Sequence, residues 1–537
     1  MSPSPPPGRV SARLTTDPIL KNALRYTISA SEYESLHRYI LSRSNVLKRN
    51  SPTVAKVEKI FDEKTPTGER YNDYNASAIR ASARVFVASA AALKLWGIVG
   101  ERFLGKEKGT KTPLWRHPNF RLSLSLSSIL LLHRILFRFF TRLRAYLLAD
   151  EAKPFRRRNK KISRTLTSNL APAIGASLAG FMLAVYPTDQ LRVTIAIYTL
   201  SRAAEFAYNH AEDEGWIWGK KERPWWWGSW LLYPVTCGQL LHAFVFDKDC
   251  FPAPFGAFIL KNSPQYRHSR PTDYPANLQW PSAYEVTDKL GEMAKLHYPR
   301  FISPVLFPNS QTLPSTLNSI SPITSSAHPL ITSLTCATLH PSDPSCLRTY
   351  ITYWIRTFPS LAKFFTAIFL LFSLPKYRSF YQDPINMLNK LAGRILGYSA
   401  FVSGSIGTSW AMICFFQQYI PKSFLATQRF FLGGAIGGLW AWIVRGEARG
   451  EFMYSARASI DSLWKVGRKR GWWRSVRGGD VGLFVASLMV INVIYERDAR
   501  AVHSEVIRKG IGELRGEGLR DVVMEEKKRI NEDSAAA

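Results

Sequence analysis

The chain has 537 residues, of which 46% are hydrophobic and 21% charged, and its 71 Lys and Arg against 40 Asp and Glu give a net charge of +31. These averages are those of an ordinary soluble protein, but the charged residues are segregated from long apolar stretches. Five scattered cysteines are too few for a disulfide framework, and the first residues lack the apolar segment of a secretory signal peptide, so we expect neither.

Seven stretches are apolar and nearly free of acidic residues. Several approach the roughly 20 residues that cross about 30 Å of hydrocarbon, and others reach that length only with flanking Arg, Lys or Trp. A buried core of soluble helices is the alternative, but seven such stretches favour an integral membrane protein. They are residues 122–132, 166–186, 225–246, 361–374, 395–416, 430–444 and 481–494.

The first part of the chain predicts a polar region and then a membrane unit. Residues 1–75 are polar and partly disordered in this interpretation, and the first membrane unit covers 76–261. The helix over 122–148 carries a basic face, which is typical of a helix in the membrane interface or of a spanning helix whose charged face meets protein or water. The helices of this unit are predicted at 76–104, 122–148, 166–186, 191–210 and 225–246.

A second unit follows a segment of different composition. Residues 262–345 are rich in Ser, Thr and Pro and predict a linker or long surface loop, and the tail 511–537 is charged with both signs interleaved. The sequence therefore predicts an all-α, polytopic membrane protein of two units with about 8–10 membrane helices. The second unit, 346–510, has helices predicted at 350–373, 387–418, 427–445, 450–467 and 480–496.

The two predicted units repeat each other. Gly175 and Gly180 return 258 positions later as Gly433 and Gly438. An ordered series of matches with one short indel is what a duplicated multi-helix unit leaves behind. At a constant offset of 256, Tyr198, Glu205, Tyr208, Gly215 and Trp216 match Tyr454, Asp461, Trp464, Gly471 and Trp472.

Glycine spacing in the apolar stretches predicts close helix packing. Two glycines one turn apart leave one helix face without side chains, so that another backbone can approach it. A pore or solute path formed by such packing is the alternative. The candidate packing glycines are Gly175, Gly180, Gly393, Gly397, Gly433, Gly434, Gly437 and Gly438.

Two charged pairs fall on helices that correspond in the repeat. Arg202 with Glu205, and Arg457 with Asp461, are three and four residues apart, so each pair can meet on one helix face. Such a pair is either a structural salt bridge or, within a membrane, a functional group.

Two further patterns resemble sites. His242 and Asp247 have the His-x4-Asp spacing of acyltransferases, in which a carboxylate orients a general-base histidine, but the repeat places Asp498 where the copy of His242 would lie. Cys336, His340 and Cys346 have donor atoms that suit a soft metal, at a spacing that fits no strong zinc pattern. We therefore predict no catalytic residue, no metal and no cofactor.

The positive charge is concentrated between apolar stretches, where it is typical of loops that meet anionic lipid headgroups. We find no nucleic-acid-binding motif and expect no nucleic acid partner. The expected partners are the bilayer, its anionic headgroups, and other membrane proteins or a second copy. The two clusters are Lys153, Arg156, Arg157, Arg158, Lys160, Lys161 and Arg164, and Lys465, Arg468, Lys469, Arg470, Arg474 and Arg477.

Residues 336–350 (CATLHPSDPSCLRTY) are similar to the cysteine-containing motif of the transmembrane protein 135 family. Residues 404–410 and 431–438 resemble its glycine-rich helices, and 178–182 with the Tyr-x3-Arg-x2-Glu of 198–205 resembles the same module. The resemblance extends over roughly 76–261 and 336–510. In this chain the cysteine motif precedes the second unit, whereas the family has it at the N-terminus.

The resemblance implies a multi-spanning protein of peroxisomes and mitochondria, linked to lipid handling and to the balance of mitochondrial fission and fusion. The family is distantly similar to the mitochondrial inner-membrane translocase and peroxisomal membrane protein 24 group. We therefore expect a role in membrane organisation, lipid metabolism or organelle dynamics. A transporter or channel with a path between the two repeat units is the alternative, and a membrane lipid enzyme is a third reading.

Overall fold

The computed structural model describes residues 26–43, 51–55, 57, 74–103, 113–219, 222–275, 277–308 and 313–536. Within these ranges the chain is mainly helical, and the one β-pairing is an isolated bridge between Arg300 and Ser333. The predicted all-α class is confirmed for the described residues. Most of the predicted polar region, 1–75, lies outside them.

The predicted helices over 76–104, 122–148 and 191–210 are observed to within a few residues, the one predicted over 225–246 begins only at Leu232, and the one over 166–186 is broken into shorter pieces. Further helices, among them Ala253–Lys261 and Ala283–Lys295, lie where none was predicted. A 3₁₀ segment, Leu178–Val185, continues from α6. The helices are α1 (Ala30–Tyr39), α2 (Tyr74–Phe103), α3 (Pro118–Leu148), α4 (Lys153–Arg158), α5 (Lys160–Leu166), α6 (Ala171–Ser177), α7 (Gln190–Asp213), α8 (Leu232–Phe246), α9 (Ala253–Lys261) and α10 (Ala283–Lys295).

Among the remaining helices, Cys346–Ser373, Pro384–Tyr419, Arg429–Gly438, Arg449–Lys469 and Gly479–Arg497 lie near predicted positions, whereas Ser321–Thr324, Leu334–Leu339 and Tyr377–Gln382 were not predicted. A second 3₁₀ segment, Leu439–Val444, continues from α16. The helices are α11 (Ser321–Thr324), α12 (Leu334–Leu339), α13 (Cys346–Ser373), α14 (Tyr377–Gln382), α15 (Pro384–Tyr419), α16 (Arg429–Gly438), α17 (Arg449–Lys469), α18 (Gly479–Arg497), α19 (Glu505–Arg515) and α20 (Val522–Ala536).

The chain divides into two compact units, whose boundaries differ from those of the two units predicted from the sequence. Unit 1 comprises Met1–Lys221 and Val476–Ala537, and unit 2 comprises Glu222–Ser475. Helix α8, which the sequence places at the end of the first repeat, therefore belongs to unit 2. Helix α18, at the end of the second repeat, belongs to unit 1.

Five of the described helices are long and apolar enough to cross a membrane: α2 over Tyr74–Gly100, α3, α13, α15 and α18. A sixth span results if α5 and the segment Ala171–Val185, which meet at an angle of 82°, are counted together. This is fewer than the 8–10 predicted. Helix α8 has only 15 residues, and α7 and α17 carry several charged side chains, so these do not qualify.

Unit 1 is built around α3, which packs against α2, α6 and the 3₁₀ segment after α6, while α18 packs against α7. A buried polar network joins these helices. Asn492 donates to Ser177 Oγ at 2.9 Å and to His133 Nε2 at 3.1 Å, and His133 Nδ1 donates to the Leu514 carbonyl at 2.9 Å. The Asn492 amide nitrogen, Ser177 and both His133 nitrogens are thus paired in the interior, where an unpaired group is costly, whereas Asn492 Oδ1 has no partner among the described residues.

The first part of the region after α18 packs into unit 1, whereas residues 524–533 of α20 are exposed. Val502 and Ile511 are buried against Phe206 in the core of unit 1. The buried Arg508 side chain donates to both carboxylate oxygens of Asp521, at 2.8 and 2.7 Å, which joins α19 to the start of α20. Charge in this segment therefore serves internal pairing as well as solubility.

The Arg508–Asp521 pair predicts a pH dependence. The hydrogen bond from Arg508 holds the pKa of Asp521 below its usual value. A depressed carboxyl pKa stabilises the fold above the unfolded-state pKa of about 3.9, and this stabilisation is lost as pH falls through the lower, folded-state pKa. Asp521→Asn should therefore cost about 2 kcal/mol near pH 7 and much less in strong acid.

Hydrogen–deuterium exchange of α19 and α20, measured at pH 7 and at lower pH, checks this prediction. Asp533→Asn is the control because Asp533 is an exposed acidic residue of α20. Equal protection of α19 in both variants would contradict a stabilising role for the pair.

Unit 2 has α8 packed against α16 and α17, and α15 packed against α13 and α16. The segment 262–345 contributes directly to this core. Leu290, Met293, Leu317, Ile320 and Leu334 are almost fully buried within it. The prediction of a linker was therefore wrong for this segment, because its Ser, Thr and Pro content masked regularly spaced Leu, Ile and Met.

The same local structure ends α7 and α17. Gly215 and Gly471 both have positive φ, +74° and +73°, a conformation that glycine adopts without strain. In each case the backbone N–H of the tryptophan that follows donates a hydrogen bond to the last turn of the helix. Trp216 donates to the Ala211 carbonyl and Trp472 to the Gly467 carbonyl, both at 2.8 Å. This is a Schellman-type helix end in each unit.

Candidate functional site: an apolar cavity and a cysteine–histidine cluster

Helix α16 uses glycines on two faces. A Cβ atom at Gly434 would lie 2.7 Å from the Cys237 carbonyl oxygen, and one at Gly438 would lie 2.5 Å from Pro234 Cα, so this face meets α8 backbone to backbone. A Cβ at Gly433 would lie 3.3 Å from Met412 Cβ, and one at Gly437 would lie 2.7 Å from the Ser405 carbonyl oxygen. The second face therefore packs on α15.

The other predicted glycines differ from one another. Gly175 lies against the ring of Phe140, and a Cβ at Gly180 would lie 3.0 Å from Val485, so both permit close packing in unit 1. Gly397 has an ordinary contact, at 3.4 Å to Val444, and Gly393 has no neighbour within 4 Å among the described residues. The spacing Gly393–Gly397 thus marks no close helix crossing within unit 2.

Unit 2 contains an apolar cavity of about 450 Å³ bounded by α8, α9, α15 and α17. Its exposed lining residues are Gly450, Glu451 and Tyr454, and Glu451 is the one charged residue of the lining. The remainder is mostly aliphatic and aromatic. The deeper lining includes Leu240, Leu241, Phe251, Phe255, Ile259, Phe401, Val402, Ile406, Trp410 and Ile413.

Hydroxyl groups at two places beside the cavity are hydrogen-bonded within the protein. Thr236 and Ser455 share a hydrogen bond of 2.9 Å between their hydroxyls, and the Ser409 hydroxyl donates to the Ser405 carbonyl at 2.7 Å. The cavity therefore presents mainly carbon to an occupant, which suits a hydrocarbon chain better than a polar metabolite.

A second site in unit 2 brings together three cysteines and a histidine. The potential ligand atoms of Cys336, His340, Cys346 and Cys414 all lie within 4.8 Å of one another. Cys336 Sγ lies 3.7 Å from Cys346 Sγ, and His340 Nε2 lies 3.4 Å from Cys346 Sγ and 3.6 Å from Cys414 Sγ. His340 and Cys414 are buried, and the other two are half-buried.

Three helices position this cluster. Cys336 lies on the short helix α12, which ends just before His340, and Cys346 is the first residue of α13. Cys414 lies near the end of α15. The sequence pattern identified the first three residues but not Cys414, because Cys414 is distant in the chain and has no motif around it.

The predicted charged pairs are structural in form. Arg202 Nη1 lies 2.8 Å from Glu205 Oε2 within α7, as the three-residue spacing predicts. Asp461 accepts a hydrogen bond at 2.7 Å from Lys465, which lies one turn further along α17. Both acidic groups are thus neutralised within their own helix.

The acyltransferase-like pattern does not form the geometry that its chemistry needs. The buried Asp247 carboxylate accepts a hydrogen bond from Arg470 at 2.6 Å and lies 3.5 Å from Lys469 Nζ. His242 instead packs on the ring of Phe246, with centroids 4.7 Å apart. The oxygens of Asp247 therefore face two cations, and the aspartate serves as a charge partner for α17.

The two basic clusters differ in the structure. In the first, Arg156 donates to the Leu147 carbonyl at 2.6 Å and so caps α3, whereas the other basic side chains of α4 and α5 are exposed. In the second, Lys469 and Arg470 pair with Asp249 and Asp247. Both clusters thus remain largely exposed, but part of the charge of the second is neutralised by nearby acidic groups.

No protein-family model, no curated protein and no solved structure matches the chain.

Proposed function

We propose that this chain is a multi-pass membrane protein of an intracellular organelle, peroxisome or mitochondrion, that takes a lipid hydrocarbon chain into the cavity of unit 2. The organelle and the link to lipid handling follow from the resemblance to the transmembrane protein 135 family. The cavity is the observation that carries the lipid proposal.

Exposed apolar surface supports the membrane part of the proposal. Val87, Leu95 and Trp96 of α2 are 63–69% exposed, and Ile355 and Phe372 of α13 are 69% and 72% exposed. Such side chains are costly in water when they form long helix faces, and a bilayer removes that cost. The exposed basic residues of α4 and α5, next to exposed Phe155 and Ile162, suit contact with anionic headgroups.

We further propose that the chain arose by duplication with an exchange of helices. The matched pairs of α-helix and 3₁₀ segment, α6 with Leu178–Val185 and α16 with Leu439–Val444, support it, as do the matched ends at Gly215 and Gly471. In this proposal α8 completes the packing of the second repeat and α18 that of the first. The cavity is then lined by segments from both repeats within one compact unit.

Photolabelling tests the lipid proposal. The purified full chain is incubated with a diazirine-bearing palmitate, and the labelled peptides are identified by mass spectrometry. Label is expected on α8, α9 and α15. Val402→Trp and Ile259→Trp, each at a half-buried cavity position, should exclude at least two methylenes, about 1.6 kcal/mol, and so weaken labelling more than tenfold.

Leu396→Trp is the matched control, because Leu396 lies on α15 outside the cavity and is 53% exposed. Labelling elsewhere, or equal labelling of all variants, would contradict lipid binding in the cavity. The alternative, a lipid or metabolite transporter with a path between the repeats, predicts in addition that proteoliposomes exchange labelled cargo, and that the same two tryptophans block the exchange.

A further inference from the structure

We propose that Cys336, His340, Cys346 and Cys414 bind one zinc ion as a structural centre of unit 2. The observation that carries this proposal is the convergence of four soft or borderline donor atoms from three helices at a buried point. The proposal is independent of the lipid function, since it concerns a different set of residues.

The spacing of the donors matches tetrahedral zinc. Zn–S bonds of about 2.3 Å and Zn–N bonds of about 2.0 Å at tetrahedral angles put two sulfurs about 3.8 Å apart and a sulfur and a nitrogen about 3.5 Å apart. The separations here are 3.7 Å for Cys336 and Cys346, and 3.4 and 3.6 Å from His340 Nε2 to the sulfurs of Cys346 and Cys414. Three of the six donor separations therefore already have the values of a tetrahedral zinc site, and the other three are 4.8 Å or less.

The surroundings of His340 fix which of its nitrogens faces the cluster. Its Nδ1 lies 2.7 Å from the Asp343 carbonyl oxygen, which can only accept, so the ring proton is on Nδ1. The lone pair of Nε2 then points toward the sulfurs. The Asp343 carboxylate is held by Arg348 through two contacts of 2.7 Å, which fixes the turn that orients the imidazole, as outer-shell groups do at zinc sites.

The ligand set also decides between a metal and other uses of cysteine. A disulfide would join two sulfurs and leave the third thiol and His340 unexplained. A catalytic cysteine needs an open position for substrate, whereas four protein ligands close a tetrahedral site. Three thiolates and one imidazole are a structural zinc set, and the site would tie α12, α13 and α15 together across a long stretch of chain.

Metal analysis of the purified full chain tests the proposal. The wild type, prepared without chelators or a polyhistidine tag, should contain one zinc per chain by elemental mass spectrometry. Cys336→Ser, His340→Asn and Cys414→Ser should lose it. Cys250→Ser is the matched control, because Cys250 is a buried cysteine of unit 2 outside the cluster, and this variant should keep its zinc.

Two measurements on the wild type keep the test valid where a variant fails to fold. Alkylation followed by intact-mass analysis should modify three more cysteines after a chelator is added than before. Cobalt added to the metal-free protein should give the absorption of tetrahedral cobalt with thiolate ligands. Wild-type protein without metal, iron in place of zinc, or cobalt spectra without thiolate bands would overturn the proposal.

Discussion

Gly434→Ala should lower the apparent free energy of unfolding of the protein by about 2–3 kcal/mol. The new methyl group would lie 2.7 Å from the Cys237 carbonyl oxygen and 2.9 Å from Gly238 Cα. Both are backbone atoms, so a change of rotamer cannot relieve the overlap. Helices α8 and α16 would have to separate, and the contacts along their whole crossing would weaken. Thermal unfolding in a mild detergent measures the effect.

Gly393→Ala is the matched control and should act in the opposite direction. Gly393 is also an α-helical glycine in a small-xxx-small pattern, but a Cβ at this position would have no neighbour within 4 Å among the described residues outside its own stretch of helix. Alanine there should stabilise α15 by about 0.5–1 kcal/mol through helix propensity. Equal losses in both variants would mean that the crossing of α8 and α16 is not the cause.

The comparison of these two glycines shows what a sequence pattern determines. The spacing Gly393–Gly397 and the spacing Gly434–Gly438 are identical in the sequence. Each predicts a helix face without side chains, but the pattern does not identify a partner helix. Gly238, which completes the crossing with Gly434, lies almost 200 residues earlier in the chain, and its role could not be predicted from local spacing.

Helix positions followed from local sequence far better than helix partners did. Apolar periodicity located α2, α3, α7, α13, α15, α17 and α18 to within a few residues. That periodicity reports which face of a helix is apolar, and not what covers it. The assignment of α8 to unit 2 and α18 to unit 1 depends on long-range packing, so the predicted sequence units and the compact units differ.

The cysteine–histidine cluster was predicted in part for a similar reason. Cys336, His340 and Cys346 are close in the chain, so their common chemistry is visible in the sequence. Cys414 joins them only because α13 and α15 pack together. A fourth ligand so far away in the chain, on an apolar helix, leaves no local pattern in the sequence. The spacing of the other three ligands alone fits no zinc motif.

Arg192→Leu should cost unit 1 about 3 kcal/mol, because it breaks a buried ion pair and leaves a carboxylate without its partner. Arg192 is 7% and Asp480 14% exposed at the side chain. The guanidinium donates to both oxygens of Asp480, through Nε and, at 3.1 Å, through Nη2. Its Nη1 also donates to the Tyr186 carbonyl at 3.0 Å. The pair joins α7 to α18, so the loss should appear as faster hydrogen–deuterium exchange in α18.

Arg202→Leu is the control, because Arg202 pairs with Glu205 inside the same helix and is more exposed, at 28%. It should cost about 0.5 kcal/mol and leave α18 protected. The double variant Arg192→Leu/Asp480→Leu distinguishes the effect of losing the ion pair from the effect of losing side-chain packing. If the ion pair is the cause, the second substitution removes the unpaired carboxylate and restores part of the stability.

A charge exchange sharpens this test further. Arg192→Asp combined with Asp480→Arg restores opposite charges across α7 and α18, but it cannot restore the hydrogen bond to the Tyr186 carbonyl. We therefore expect this variant to recover part of the stability. The recovery should be greater in the protection of α18 from hydrogen–deuterium exchange than in the melting temperature. No recovery in either measurement would mean that Arg192 acts mainly through Tyr186. The site would then stabilise the bend before α7, and α18 would be held in unit 1 by its apolar contacts with Phe206 and its neighbours.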